Sequence, residues 1–206
     1  LTVARWIAFE GGEASGKSTQ AGLLAARLPD AVLTREPGGT VVGERVRSLL
    51  LDPSVAGLDH RAEALLMAAD RAQHVAEVVR PALSDGRSVV SDRSAYSSLA
   101  YQGYGRGLGV EAVFALCDWA TSGLWPDLAI LLDVSSSERS SRVAGVAPDR
   151  LESAGDDFHA LVDSGFAALV AAEPSRWLVV DGSGPVDEVA ARVNDAFDAW
   201  VLAADG

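Results

Sequence analysis

Gly11-Gly12-Glu13-Ala14-Ser15-Gly16-Lys17-Ser18 fits the spacing G-x-x-x-x-G-K-[ST]. It stands between an apolar run at Arg5–Glu10 and a helical pattern from about Lys17 to Leu28. Strand, loop and helix in that order predict a phosphate cradle. The glycines let the backbone curl without Cβ clashes, so successive N–H groups face one concavity. The following helix adds its positive amino-terminal end. Lys17 then reaches the β- and γ-phosphates of a bound nucleotide, and the Ser18 hydroxyl is placed to ligate Mg²⁺. A glycine-rich turn that happens to carry Lys-Ser is the plain alternative. It leaves unexplained why the only lysine of the chain falls at this position.

Downstream, short apolar runs alternate with helical patterns. Strands are expected at Ala31–Thr34, Ser88–Ser91, Leu128–Val134 and Trp177–Val180. Helices are expected at Val42–Leu51, His60–Leu83, Glu111–Ser122, Ser136–Ala144, Ala154–Ala172 and Val186–Leu202. Strands separated by helices predict a parallel sheet covered on both faces. The expected fold is therefore α/β of the P-loop NTPase type, as one domain over residues 1–206.

Composition narrows the partners. The 206 residues are 49% hydrophobic and 22% charged, with a formal net charge of −12, which excludes a disordered chain. No apolar run has the roughly 18 residues of a membrane span, and the amino terminus lacks an export signal. The lone Cys117 excludes an internal disulfide framework and a multi-cysteine zinc site. A cytoplasmic protein that binds neither membrane nor nucleic acid is expected, since phosphate backbones are held by extended basic surface. Phosphate must be handled in a local pocket. GTPase switches read guanine with Asn/Thr-Lys-x-Asp, which a chain with no lysine beyond Lys17 lacks. Partitioning-type ATPases often carry an early lysine where this loop has Gly12. The small kinases remain.

A kinase needs an acceptor site. On the long helix, Leu65, Ala69, Ala72, Ala76, Val79 and Leu83 form one apolar stripe, while Met67, Arg71 and His74 project from nearly the opposite side. One face would pack on the core or a partner and the other would line a pocket. The strand at Ser88–Ser91 runs into Asp92-Arg93. Ligands in open α/β sheets bind beyond the carboxyl ends of strands, which turns this pair toward the phosphate loop. If the next stretch is helical, Ser98, Tyr101 and Gln102 share a face suited to a planar polar ring. A mobile loop tip is the competing explanation for Gly103, Gly105, Gly107 and Gly109.

From end to end the chain resembles the thymidylate kinase (dTMP kinase) family. The shared landmarks are Glu10-Gly11 through Thr19, Arg35–Thr40, Asp70-Arg71-Ala72-Gln73, Asp92-Arg93, Ala100-Tyr101-Gln102-Gly103, Asp149-Arg150-Leu151-Glu152 and Ala171-Ala172-Glu173-Pro174. The resemblance implies ATP-dependent phosphorylation of dTMP to dTDP, with Mg²⁺ held through Ser18 and Asp92. It implies a homodimer and a short mobile lid at about residues 139–152. Glu13 matches a carboxylate near the acceptor sugar and metal, and Arg47 and Arg93 match arginines on the acceptor phosphate. Arg71 matches one that hydrogen-bonds the thymine edge. Glu36 and Pro37 belong to the matching Arg-Glu-Pro-Gly-Gly-Thr block, in which the proline is often cis. Ser98, Tyr101 and Gln102 fall in the segment that closes over base and sugar.

Three positions depart from the family pattern. Met67 stands where the family usually stacks an aromatic ring on the base, Ser94 where Tyr or His follows Asp-Arg, and Ala14 where one branch has a catalytic arginine. The other branch supplies that charge from the lid, which points to Arg142 and Arg150, with Arg139 also flanking the segment. The acceptor is already an anionic oxygen, so catalysis by Lys17, Arg93 and a lid arginine needs no general base. Rival readings are a kinase for another monophosphate or for a deoxynucleoside, and a nucleotide-binding module without catalysis.

Overall fold

The computed structural model describes residues 3–55, 57–142, 145 and 147–204. Its centre is β1 (Trp6–Glu10), with every residue buried. Around it a five-stranded sheet runs in the order β2-β3-β1-β4-β5, with β2 at Val32–Arg35, β3 at Val89–Asp92, β4 at Leu128–Asp133 and β5 at Trp177–Asp181. All pairings are parallel. Ile7 lies opposite Val90 on one side and Leu128 on the other. Helical crossovers make this possible, because parallel neighbours cannot be joined by a tight turn.

Helices cover both faces, as expected. On one, α1 (Lys17–Arg27) and α9 (Val186–Ala204) bring Ala21, Leu24, Val193 and Phe197 onto Ile7, Phe9 and Ile130. On the other, α6 (Val110–Thr121) and α8 (Asp156–Ala172) bury Val113, Cys117, Val162 and Phe166 beside Trp177. The stretch after β3 is α5 (Ala95–Ser98) followed by a π-helical turn, Leu99–Gly105. It is packed through Gly105 rather than a loop tip, while Gly107 and Gly109 beyond it lie on an exposed turn. A Cβ on Gly105 would come within 2.6 Å of Phe158, so only glycine lets α8 approach this closely.

The expected helix at His60–Leu83 has three parts: α3 (His60–His74), a π turn at Val75–Val79, and α4 (Arg80–Ser84). Pro81 has no N–H for the preceding turn, which accounts for the change of register. The two faces of α3 are disposed against simple amphipathic logic. The first part of its apolar stripe points outward, with Leu65 58% exposed and Ala69 and Ala76 exposed, whereas Val79 and Leu83 at the end of the stripe pack inward beside Trp6 and Val89. Its polar side is buried, carrying Glu63, Met67, Asp70, Arg71 and His74 toward α2 (Val41–Leu51) and α6. Buried charges require partners, and each has them. Arg71 Nε donates to Glu36 (2.8 Å), His74 Nδ1 pairs with the other oxygen of Glu36 (2.8 Å), and Gly38 N donates to Asp70 (2.8 Å).

The expected helix at Ser136–Ala144 is seen as α7 (Ser136–Arg142); residues 143, 144 and 146, inside the expected lid, lie outside the described residues. Among the described residues no helix is long and apolar enough to cross a membrane.

Candidate active site

The loop after β1 has the curl its glycines predict. Gly11 (φ 134°) and Gly16 (φ 97°) lie in the left-handed region, as does Ala14 (φ 57°). A Cβ on Gly11 would sit 2.8 Å from the Leu132 carbonyl. Lys17 folds across the loop, its Nζ donating to the Gly12 carbonyl (2.7 Å) and the Ser15 hydroxyl (3.4 Å). Burial, with Arg93 nearby, pulls its ammonium down to about 8; an anion bound in the loop would restore the charge. The cleft over the loop has a volume of about 490 Å³ and runs from Glu13–Gln20 past Asp92 and Arg93 to Gly182, Gly184 and Val186. Ser18 Oγ donates to Asp92 at its floor.

A second cavity opens beyond β3. The structure gathers there all ten residues expected around the acceptor: Glu13, Glu36, Pro37, Arg47, Met67, Arg71, Arg93, Ser98, Tyr101 and Gln102. The Glu36–Pro37 peptide is cis. Glu13, Glu36, Arg47 and Arg93 line both cavities, so these four mark the junction. Arg93 has a left-handed backbone (φ 74°), strained for a non-glycine residue. Its guanidinium donates to the Gly11 carbonyl (3.1 Å), Ser97 Oγ (3.0 Å), Glu13 (2.5 Å) and Tyr101 Oη (3.0 Å). Burial tends to raise the Glu13 carboxyl, but Arg93 and Lys17 hold it at about 2. Arg47 donates to the Pro37 carbonyl (2.8 Å). Arg71 is committed to Glu36, Cys117 Sγ (3.3 Å) and the Ser94 carbonyl (3.1 Å), forming a fixed part of the wall.

The arginines near the lid divide. Arg142 donates to the Ala14 carbonyl (3.1 Å) and the Gly182 carbonyl (2.9 Å), at the phosphate loop. Arg150, expected beside it, is instead turned away, donating to the Leu50 carbonyl (2.7 Å) and pairing with Glu63 (2.8 Å). Arg139 takes the place by the loop. Asp163 holds it (2.9 and 2.5 Å), and its guanidinium fills the space a Cβ on Gly12 would need. The physical reason is partner supply: Asp163 on α8 faces the loop side, whereas the acceptors Arg150 meets lie on α2 and α3.

Sequence reasoning passed over Glu10. It is fully buried at the end of β1 and accepts from Ser94 Oγ (2.6 Å) and Ser97 Oγ (2.5 Å). Ser94, the departure after Asp-Arg, thus serves Glu10 and also caps α5. A charged side chain closing the otherwise apolar run Trp6–Glu10 was the available signal. Burial pushes its carboxyl up to about 7 against the two serine hydrogen bonds and Arg93. The unfolded chain releases this proton near the ordinary 4.5, so between those values the folded state binds more protons and stability falls as pH rises. Glu10→Gln should therefore gain stability relative to the parent as pH goes from 5 to 8, by on the order of 3 kcal/mol. Urea unfolding at both pH values reads this difference. A parallel pair of curves would show that Glu10 is ionised throughout. Asp70, also pushed up to about 7 by burial and Glu36, is common to both proteins and cancels.

Two cavities that meet at a shared pair of arginines, one of them built on a phosphate loop, fit the class of P-loop kinases. Comparison with known proteins narrows the class. The sequence model of the thymidylate kinase family matches residues 9–193. The chain is 46% identical to a thymidylate kinase of Desulfovibrio desulfuricans (95% of this chain, 96% of the relative) and 48% identical to one of Leifsonia xyli subsp. xyli (95% of each). A crystal structure of thymidylate kinase from Ehrlichia chaffeensis superposes with a TM-score of 0.77 at 31% identity, covering 95% of this chain and 99% of that one. The chain belongs to the thymidylate kinase family and is a nucleoside monophosphate kinase.

Proposed function

We propose that the two cavities serve one in-line transfer. ATP lies along the phosphate loop and dTMP in the second cavity. A phosphate oxygen of dTMP attacks the γ-phosphorus, the bond to the β-bridging oxygen breaks, and dTDP and ADP leave, in supply of dTTP synthesis. The observation that carries this is the junction, where Arg47 and Arg93 border both cavities. The obstacle is repulsion: two unit charges 4 Å apart at an effective dielectric near 20 cost roughly 4 kcal/mol. Lys17, Arg93 and Arg142 oppose it, with backbone N–H groups of the loop positioned around the donor. In this role Glu13 braces Arg93, Glu36 braces Arg71, and Met67 contacts the base through its thioether.

Ser18 and Asp92 are hard oxygen donors in contact at the cleft floor, a set that fits Mg²⁺. Bound there, the ion would neutralise phosphate charge. Residues 139–152 serve as a lid over a single domain, excluding water and suppressing ATP hydrolysis. A coupled assay of ADP release across dTMP, dUMP, UMP, CMP, AMP and GMP tests the reading. Fastest turnover is expected with dTMP. Tight ATP binding with no turnover on any of them would point to a non-catalytic module.

The working form is a cytoplasmic homodimer. Its support is the outward stripe of α3 together with Trp119 on neighbouring α6, which is 79% exposed. Large exposed apolar surface marks association sites. Light scattering should give twice the 21.4 kDa chain mass, and a monomer at micromolar concentration would refute the dimer.

A further inference from the structure

A further cavity lies behind the acceptor wall, between α6 and α8. It holds about 490 Å³, as much as the cleft over the phosphate loop, and shares no lining residue with either cavity described above. Tyr96 and Leu99 line it, on the same segment whose Ser98 and Tyr101 line the acceptor cavity. Its walls are aromatic and open to solvent. Phe114, 44% exposed, stacks on the half-buried Trp125, with ring centroids 4.9 Å apart and 12° between the planes. Tyr96 joins Trp125 (5.3 Å) to Trp177 (4.7 Å). Small-molecule sites have this size and this predominance of rings over a few polar groups.

The polar groups are ordered along α6. Glu111, Phe114 and Asp118 share one stripe of that helix, at spacings of three and four. The two carboxylates stand two turns apart, about 10 Å by the helical rise, with the ring of Phe114 between them. Asp118 spends one oxygen on Trp125 Nε1 (2.9 Å), and Glu111 is exposed. Arg176 is the one cation among the described residues of the lining, and Glu173 pairs with it (3.0 Å). Glu111 and Asp118 therefore face the cavity uncompensated. Charge, apolar length and charge follow one another, which suits ammonium groups at the ends. Methylenes or a central ammonium fit the ring faces between.

We propose that this cavity binds a linear aliphatic polyamine laid along α6. Its terminal ammonium groups meet Glu111 and Asp118, and its methylenes cover Phe114 and Trp125. A monoamine leaves one carboxylate unmatched, and a short diamine cannot span the pair. The site is separate from phosphoryl transfer and does not depend on which monophosphate is the acceptor.

The test is isothermal titration of the full chain with spermidine, octamethylenediamine and putrescine at low salt. Nucleotide is left out, because its phosphates bind polyamines themselves. Spermidine and octamethylenediamine, whose extended chains cover two helical turns, should bind at one per chain with Kd below millimolar. Putrescine carries the same charge as octamethylenediamine but is too short, and should bind at least about tenfold more weakly. Glu111→Gln and Asp118→Asn should each weaken the longer ligands by about tenfold, the asparagine keeping an acceptor for Trp125. Asp85→Asn/Asp195→Asn removes two exposed charges elsewhere and should leave Kd within about twofold, since screened surface charge contributes little. Should Asp118→Asn not fold, the exposed Glu111→Gln decides alone. Absence of saturable binding overturns the proposal, as does equal affinity for the two diamines. So does a Kd unchanged in folded Glu111→Gln, or weakened as much by the distant pair of substitutions.

Discussion

Arg93→Ala is expected to lower kcat/KM for dTMP by about 10³-fold or more, the range seen when an arginine that neutralises a transferring phosphoryl group is removed. Two losses combine. The guanidinium that borders both cavities disappears, and Glu13 beneath it loses its counter-charge while staying next to an incoming dianion. The double variant Arg93→Ala/Glu13→Gln should therefore recover part of the deficit, because repulsion of roughly 4 kcal/mol per close charge pair is relieved. Arg93→Lys should not rescue, since a point charge cannot hold the Gly11 carbonyl, Ser97, Glu13 and Tyr101 together. Steady-state kinetics on the four proteins, with thermal unfolding as a control, decides the matter. Near-normal turnover in the alanine variant would remove Arg93 from the mechanism.

Lys17→Ala should cost about 10²–10³-fold in kcat, the scale of losing one preorganised donor at the reacting charge. Stability should change far less. The ammonium is fully buried, and its hydrogen bonds to Gly12 and Ser15 offset a desolvation cost that the variant does not bear. Lys17 is the only lysine of the chain, so no neighbour can substitute. Rapid-quench measurement of a single turnover isolates the chemical step. A burst of parental rate in the variant would assign Lys17 to nucleotide binding alone.

The parts of this protein that sequence made visible are those whose geometry is local. The phosphate loop needs glycine where φ is positive and a lysine at the start of the helix, so spacing alone reports it. Asp92-Arg93 was visible because a strand end points at the switch of the sheet. The acceptor wall depended on resemblance, and all ten of its residues meet in one cavity. What could not be read is the support behind them. Glu10, Glu63 and His74 act through partners 38 to 87 positions away, and no periodicity encodes a partner. The α3 stripe shows the limit of hydrophobic patterning. Six small or aliphatic residues at helical spacing read as a face for the core or a partner; only Val79 and Leu83 reach the core, Leu65, Ala69 and Ala76 are exposed, and the charged side of α3 is buried because Glu36, Gly38, Gln102, Arg106 and Arg150 supply its partners. The lid arginines are divided for the same reason, with Arg142 at the phosphate loop and Arg150 turned away from it. Arg139, Arg142 and Arg150 are alike in sequence, and only the positions of Asp163, Ala14 and Glu63 separate them.

Arg93 hangs its backbone N–H on the Phe9 carbonyl at 2.9 Å and its side chain on the Gly11 carbonyl, so the loop that seats the donor and the residue that greets the acceptor are stitched to the same central strand. The molecule is in that respect a jig with two fixed stops. Travel between the stops is not adjustable from the periphery, and retooling the enzyme for a bulkier acceptor has to enlarge the far end of the second chamber, around Met67 and Leu151, while leaving the stitched end untouched.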